Sequence, residues 1–198
     1  MPLHLLCIGL GNPGSEYLHT RHNVGFRVID TLAAQLGCTL RRSTRHHAMT
    51  ARCTTDDART LLLAQPLTFM NASGLAFTSL TRQYHPEMII ICSDDLDLPI
   101  GTLRWTRGGS SGGHRGLQSI IDAGGKDTLR LRIGIGTNRT TNGHRIPAED
   151  FVLQQFSSTE LATLAPAIVR ATAAILLLAH HGFDAAQQFA NTRPETPS

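Results

Sequence analysis

The chain has 198 residues, 41% hydrophobic and 17% charged, a composition typical of a folded globular protein and not of a disordered chain. The longest apolar run is too short for a membrane span, and no signal-peptide pattern is visible, so we expect a cytoplasmic protein that does not enter a membrane. The four cysteines are far apart, which predicts buried free thiols. Residues 1–145 carry 16 basic and 10 acidic side chains, and arginine dominates the basic ones. This excess favours an anionic partner, although a genomic bias towards arginine would explain the residue choice equally well.

Strand-like and helix-like segments alternate along the chain. Short apolar runs that end at turn residues predict strands, and apolar residues spaced by three or four predict helices. In chain order we expect strand 3–10, helix 24–36, strands 47–53 and 59–65, a helix from Asn71 to Tyr84, strands 88–92 and 102–107, helix 116–123, strand 129–135, and a helix between a Ser157-x-x-Glu160 capping box and Gly182. This alternation predicts a single α/β domain over residues 1–192, with a twisted, mixed but largely parallel central sheet and helices on both faces. Residues 193–198 are expected to be a frayed tail.

Two glycine patterns match well-known motifs but lack their context. Gly9-Leu-Gly-Asn-Pro-Gly14 follows a strand, but a dinucleotide fingerprint also requires a helix to begin at once, and the next residues have no helical stripe. Gly109-Ser-Ser-Gly-Gly113 formally fits the G-x-S-x-G elbow of serine hydrolases, but it is too rich in glycine to hold a strained nucleophile. A nicotinamide-dependent oxidoreductase and a serine hydrolase are therefore minor alternatives.

Polar side chains that a packed core would not select follow the ends of predicted strands. They lie in four segments, Asn12–Asn23, Phe69–Asn71, Asp94–Asp97 and Gly112–Gly116. Because the carboxyl ends of strands in an open α/β sheet meet at one crevice, we expect these segments to converge. One histidine, one carboxylate and two carboxamides form a hydrolytic set that activates water without a metal. No spacing typical of metal ligands is present, so we expect neither a metal nor another cofactor.

Longer motifs surround these polar residues and follow one another in a fixed order. They are Gly9-Leu-Gly-Asn-Pro-Gly-x-x-Tyr-x-x-Thr-Arg-His-Asn-x-Gly25, Pro66-x-Thr-Phe-Met-Asn-x-Ser-Gly74, Asp94-Asp-Leu-Asp-Leu-Pro-x-Gly101 and Gly112-Gly-His-x-Gly-Leu117. In order and spacing they resemble the bacterial peptidyl-tRNA hydrolase family, from Leu5 to about Phe189. The resemblance implies a monomeric enzyme that hydrolyses the ester bond between peptide and tRNA and so recycles tRNA from stalled or aborted translation.

The resemblance also implies roles for individual residues. His22 corresponds to the general base that activates water, and Asp94 to the aspartate that orients it. Asn12 corresponds to the asparagine that meets the peptide end, and Asn71 to a carboxamide near the scissile ester. The other implied contacts with the tRNA and the nascent peptide come from Tyr17, Phe69, His114 and Arg115 in the crevice and from Arg132 at a phosphate. Arg104 and Arg107 are further candidates for phosphate contacts, because they lie close to a position where the family often has a phosphate-binding lysine.

Three positions depart from the family pattern. Ser93 stands where a histidine is common, and Thr106 stands where a phosphate-binding lysine is common, so that a nearby arginine has to replace the lysine. Arg115 stands where the family usually has a substrate-contacting asparagine. A guanidinium donates to phosphate or ribose but cannot accept a hydrogen bond as a carboxamide does. Arg115 is the one feature that favours the main alternative, a non-catalytic RNA-binding relative of the same fold.

Some of these residues also have a purely structural interpretation. Asn71 is equally suited to cap the helix that follows it, and the aspartates after Asp94 compete with it as loop acids. By residue type alone, Tyr17 and Phe69 favour the core. The sequence leaves open whether the segment 138–149 acts as a lid.

Overall fold

The computed structural model describes residues 3–139 and 142–192. Its elements are β1 (Leu5–Gly9), α1 (Val24–Gln35), β2 (Arg41–Ser43), β3 (Ala48–Thr54), β4 (Thr60–Pro66), α2 (Ser73–Tyr84), β5 (Met88–Asp95), β6 (Leu103–Arg107), α3 (Arg115–Asp122), β7 (Leu129–Gly134), α4 (Ala148–Val152), α5 (Ser158–His181) and α6 (Phe183–Asn191). Short 3-10 turns lie at Ser15–Tyr17, Arg21–Asn23 and Met70–Ala72. The expected frayed tail, 193–198, lies outside the described residues.

The seven strands form one mixed sheet in the order β2-β3-β4-β1-β5-β7-β6. The four central strands, β4, β1, β5 and β7, are parallel to their neighbours in this group, whereas β2 and β3 on one side and β6 on the other are antiparallel. The largely parallel α/β sheet expected from the sequence is confirmed. The carboxyl ends of the parallel strands share one edge, and this edge carries the polar segments.

Helices cover both faces of the sheet, as expected. Helices α1, α5 and α6 pack on one face in a core that includes Leu5, Ile29 and Ile175. Helices α2 and α3 pack on the other face around Phe77 and Ile120. All four cysteines are free thiols, and three of them are buried.

Several element boundaries differ from the prediction for identifiable reasons. Strand β5 continues beyond Cys92 to Asp95, because its ladder with β7 extends to the pair Asp95 and Gly134. Helix α2 begins at Ser73, because the 3-10 turn Met70–Ala72 precedes it. The sequence pattern did not indicate the short strand β2, an exposed edge of the sheet, or the helices α4 and α6.

Two glycines allow α1 to approach the sheet closely, and this brings His22 to the end of β5. A Cβ atom on Gly9 would lie 2.3 Å from the carbonyl oxygen of Gly25. A Cβ atom on Gly25 would lie 2.5 Å from the carbonyl oxygens of Leu10 and Cys92. These contacts are shorter than real Cβ atoms make, so the close packing of this helix on the sheet requires glycine at both positions.

Helix α5 is long and apolar enough to span a membrane by length and composition, with 24 residues and a mean hydropathy of 2.0 in its most apolar window. One stripe of the helix, which includes Leu164, Ile168 and Ile175, is buried in the core that α1 and α6 share. This is the arrangement of a core helix. The predicted capping box is present at its start, where Ser157 and Glu160 exchange hydrogen bonds.

Candidate active site

Two histidines contact the same carboxylate oxygen at the carboxyl end of the sheet. Asp94 Oδ1 lies 2.8 Å from His22 Nδ1 and 2.9 Å from His114 Nε2. Asp94 is buried near the end of β5, His22 belongs to the turn before α1, and His114 is the N-cap residue of α3. The two imidazole rings are 4.9 Å apart between centroids, so three different elements bring their side chains to one point.

The hydrogen bonds assign opposite tautomers to the two histidines. His114 Nδ1 accepts from the backbone N–H groups of Gly116 and Leu117, at 3.1 and 3.2 Å, so the ring proton is on Nε2 and is donated to Asp94. His22 turns Nδ1 towards Asp94 and donates from there. Its Nε2 is therefore the unprotonated atom that is available to take a proton from water. The geometry makes His22 a candidate base and excludes His114 from that role as long as it caps α3.

The shared aspartate also controls the titration of His22. Burial by itself lowers the pKa of His22, but the charge of Asp94 and its hydrogen bond together outweigh burial and raise the pKa above its ordinary value, while the charge of Arg115 opposes this rise. Burial by itself raises the pKa of Asp94, but the charges and hydrogen bonds of His22 and His114 together lower it well below its ordinary range. Asp94 therefore stays ionised whenever His22 titrates.

The side-chain amide of Asn12 is held in one orientation. Its Oδ1 accepts from the backbone N–H of Met70 at 2.8 Å, which directs the Nδ2 donor away from that contact. The backbone of Asn12 is itself fixed, because Asn23 Oδ1 accepts from its N–H and Asn23 Nδ2 donates to its carbonyl, both at 2.9 Å. Asn12 and His22 both line the cleft described below, and Asn12 offers a preorganised donor there.

A cleft with a volume of about 450 Å³ opens above these residues. Most of the residues predicted from the sequence line it, namely Asn12, His22, Phe69, Asn71, Asp94, His114, Arg115 and Arg132. The predicted convergence of the four polar segments is confirmed in this respect. The walls also include residues that the sequence analysis did not propose, among them Met70, Asp95, Arg145, Glu149 and Leu153.

Three predicted contact residues lie outside the lining of the cleft. Tyr17 is half-buried in the first 3-10 turn. Arg104 is exposed and pairs with Arg132 in the ladder between β6 and β7, so it lies at the same end of the sheet as the cleft. Arg107 pairs with Leu129 at the opposite end of the ladder, and its guanidinium lies over the ring of Phe183 at 5.3 Å. Their proposed contacts with substrate stay predictions.

Several alternatives left open by the sequence are now resolved. Asn71 does not cap α2, since Ala72 occupies the N-cap position, and the Asn71 side chain is exposed in the cleft. Phe69 is 61% exposed, so it is not a core residue. Asp95 contacts Arg132 at 2.7 Å rather than a histidine, which distinguishes it from Asp94.

The two glycine patterns do not form the sites that they formally match. The 3-10 turn Ser15–Tyr17 follows Gly14, and α1 begins only at Val24, so the phosphate-binding helix of a dinucleotide site is missing at this position. Ser111 donates to Gln118 Oε1 at 2.9 Å and is half-exposed in a loop. Among residues 3–139 and 142–192, its side chain makes no hydrogen bond to a histidine, which a nucleophilic serine requires.

Arg21 is a buried residue that the sequence analysis missed, and it anchors the turn that carries His22. Its guanidinium lies 4.6 and 4.7 Å from the ring centroids of Phe151 and Phe156 and donates twice to Glu160, at 2.9 and 2.8 Å. The same group donates to the carbonyl of Ile135 at 3.0 Å. Its position next to His22 in sequence was the one available signal, but nothing in the sequence indicates that this arginine is buried.

The ligand atoms of His22, Asp94 and His114 lie within 4.8 Å of one another, close enough to hold a metal ion. A histidine ligand needs an unprotonated nitrogen, however, and both nitrogens of His114 are engaged: Nδ1 caps α3 and Nε2–H donates to Asp94. The group is better described as a hydrogen-bonded set. That hydrolysis needs no metal stays a prediction.

Comparisons with known proteins agree on one family. Residues 6–197 match the family model described as peptidyl-tRNA hydrolase. The peptidyl-tRNA hydrolase of Moorella thermoacetica is 47% identical over 185 residues, which cover 92% of this chain and 94% of that protein. That of Nocardia farcinica is 43% identical and covers 92% and 93% of the two chains. The crystal structure of the Acinetobacter baumannii peptidyl-tRNA hydrolase superposes with a TM-score of 0.87 at 35% identity, over 96% of this chain and 95% of that chain. The chain therefore belongs to the peptidyl-tRNA hydrolase family.

Proposed function

We propose that the chain hydrolyses the ester bond between a peptide and the 3′ ribose of its tRNA and releases free tRNA and free peptide. Membership of the family confirms the resemblance found in the sequence. The observation that carries the proposal is the pairing of His22 Nδ1 with Asp94 inside the cleft, because it leaves Nε2 as a base for water.

In the proposed reaction, His22 Nε2 takes a proton from water while the water oxygen attacks the ester carbonyl carbon. Asp94 stabilises the imidazolium that forms, through the 2.8 Å contact. The carboxamides of Asn12 and Asn71 donate to the oxygen that becomes negative in the tetrahedral intermediate. The ester C–O bond then breaks, and the ribose oxygen leaves with the proton that His22 returns. No bond between the protein and the substrate forms in this sequence.

The character of the cleft walls suggests how the two halves of the substrate lie. Phe69 and Leu153 are exposed apolar residues at the cleft, which suits side chains of the peptide. Arg115 and Arg132 supply guanidinium groups for the tRNA phosphates. Because Asp95 contacts Arg132, that arginine has to share its donors between the carboxylate and a phosphate. We further propose that the enzyme acts as a cytoplasmic monomer without a cofactor.

The direct test measures release of labelled peptide from peptidyl-tRNA. An unblocked aminoacyl-tRNA serves as the control substrate, and each reaction is run with and without EDTA. The proposal expects rapid release from peptidyl-tRNA, slow release from the control, and no effect of EDTA. Binding of tRNA without hydrolysis would support the non-catalytic alternative, and loss of activity in EDTA would contradict the metal-independent mechanism.

A further inference from the structure

The loop Gly108–Gly113 forms part of the cleft wall but contains few side chains that hold it in place. Four of its glycines have positive φ, namely 62° at Gly108, 100° at Gly109, 58° at Gly112 and 83° at Gly113. Such backbone is easily deformed, because glycine has the largest conformational freedom of all residues. The residue directly after the loop is His114, so the order of the loop affects the contact with Asp94.

A buried arginine on the neighbouring strand holds the first half of this loop. Arg130, in β7, is 2% exposed. Its Nη1 donates to the carbonyl of Ser110 at 2.6 Å, and its Nη2 donates to the carbonyls of Gly109 at 2.9 Å and Lys126 at 3.4 Å. The planar guanidinium places these donors in a fixed fork, and lysine has no equivalent.

The partners of Arg130 distinguish it from an ordinary buried ion pair. Within residues 3–139 and 142–192, no carboxylate lies within ion-pair distance of its guanidinium, and its Nε has no hydrogen-bond partner. A buried charge that has only carbonyl partners is a poor source of stability, since an apolar side chain would avoid the desolvation cost. The hydrogen bonds of Arg130 are therefore better explained by a role in positioning the loop than by a contribution to the stability of the core.

We propose that Arg130 is a positioning residue for ester hydrolysis. It fixes the carbonyls of Gly109 and Ser110. The carbonyl of Ser111 can then accept from the backbone N–H of His114 at 3.0 Å, and His114 can keep its contact with Asp94. Arg130 acts on the reaction through the loop and does not touch the substrate cleft itself. The expected effect of Arg130 on kcat rests on the proposed function. Its effect on the position of His114 does not depend on that function.

The chain offers a matched control in Arg170, whose guanidinium also donates to backbone carbonyls, those of Phe189, Ala190 and Thr192 at the end of α6. This contact lies outside the lining of the cleft. Replacing either arginine by methionine removes donors of the same kind. A merely structural role for Arg130 would therefore make the two variants behave alike once differences in unfolding free energy are taken into account.

The experiment compares Arg130→Met, Arg130→Lys and Arg170→Met at a temperature where urea denaturation shows each variant to be folded. Turnover of an N-blocked aminoacyl-tRNA and the ring NMR signals of His114 are measured. We expect Arg130→Met to lower kcat about 10- to 100-fold and to shift the His114 signals. Arg130→Lys should lower kcat about threefold or more, because an ammonium has all its donors on one nitrogen and cannot reproduce the planar fork in which Nη1 and Nη2 each hold one carbonyl. Arg170→Met should leave both readouts unchanged.

Wild-type kcat together with unchanged His114 signals in folded Arg130→Met would overturn the proposal. If that variant does not fold, Arg130→Lys carries the test, and wild-type kcat in it would overturn the proposal as well. If the wild-type chain itself hydrolyses nothing, the proposed function fails, but the His114 signals still report whether Arg130 positions this residue.

Discussion

The two histidines that share Asp94 are held in the site by very different structures. His22 follows Arg21, whose buried guanidinium contacts two phenyl rings and is paired with Glu160. His114 follows a glycine-rich loop and caps a helix. The turn that carries the base is therefore fixed by contacts of a buried side chain in the turn itself, whereas the loop before His114 is held by Arg130, which belongs to a neighbouring strand.

Replacement of His22 tests the comparison with the largest expected effect. His22→Ala removes the only one of the two imidazoles whose Nε2 is unprotonated, so we expect turnover of N-blocked aminoacyl-tRNA to fall by about 10²-fold or more. Affinity for tRNA should change little, which an equilibrium binding measurement checks. Turnover close to that of the wild type would refute the assignment of the base.

Replacement of His114 should lower both kcat and the free energy of unfolding, and its effect on kcat should be smaller than that of replacing His22. His114→Ala removes one donor to Asp94, so we expect kcat to fall about tenfold, and it removes the cap of α3, so the free energy of unfolding should fall by about 1 kcal/mol. His114→Asn restores a capping side chain and should recover stability without recovering kcat. If His114→Ala loses as much activity as His22→Ala, the two histidines do not have different roles.

The two ends of the ladder between β6 and β7 give a second comparison. Arg132 lines the cleft, whereas Arg107 lies at the opposite end of the ladder beside Phe183. We expect Arg132→Ala to reduce the slope of log affinity for tRNA against log salt by about 0.9, the value for one lost phosphate contact. Arg107→Ala should leave the slope unchanged, and a reduction in it would show that tRNA reaches that end of the sheet.

The smallest expected effect concerns Arg115, which is 72% exposed in its side chain. The base has to be neutral to act, and the pKa of His22 is raised above its ordinary value, so kcat/KM should fall as the pH decreases through this raised pKa. Arg115 lowers the pKa of His22, and Arg115→Asn should therefore move the acid limb of the pH profile to higher pH. The shift should shrink in high salt, because the charge is exposed. A shift to lower pH would contradict the electrostatic account.

The sequence allowed the sheet, most of its strands and the central residues of the site to be predicted for a simple reason. Asn12, His22 and Asp94 lie in polar motifs beside apolar strands, and the carboxyl ends of parallel strands lie along the same edge of the sheet. Arg104 and Arg107 were treated alike, because the direction of β6 determines which of them lies at the cleft end of the sheet and a short strand does not reveal its direction. Arg21 and Arg130 were missed for a related reason: an arginine at a surface and an arginine buried against carbonyls have the same sequence pattern.

The assignment of His22 as the base depends most directly on the tautomeric state of the two histidines. Nitrogen NMR of the imidazole rings at a pH above the pKa of His22 reports which nitrogen of each ring carries the proton. We expect the proton on Nδ1 of His22 and on Nε2 of His114. The same tautomer in both rings, or a proton on Nε2 of His22, would contradict the assignment of His22 as the base.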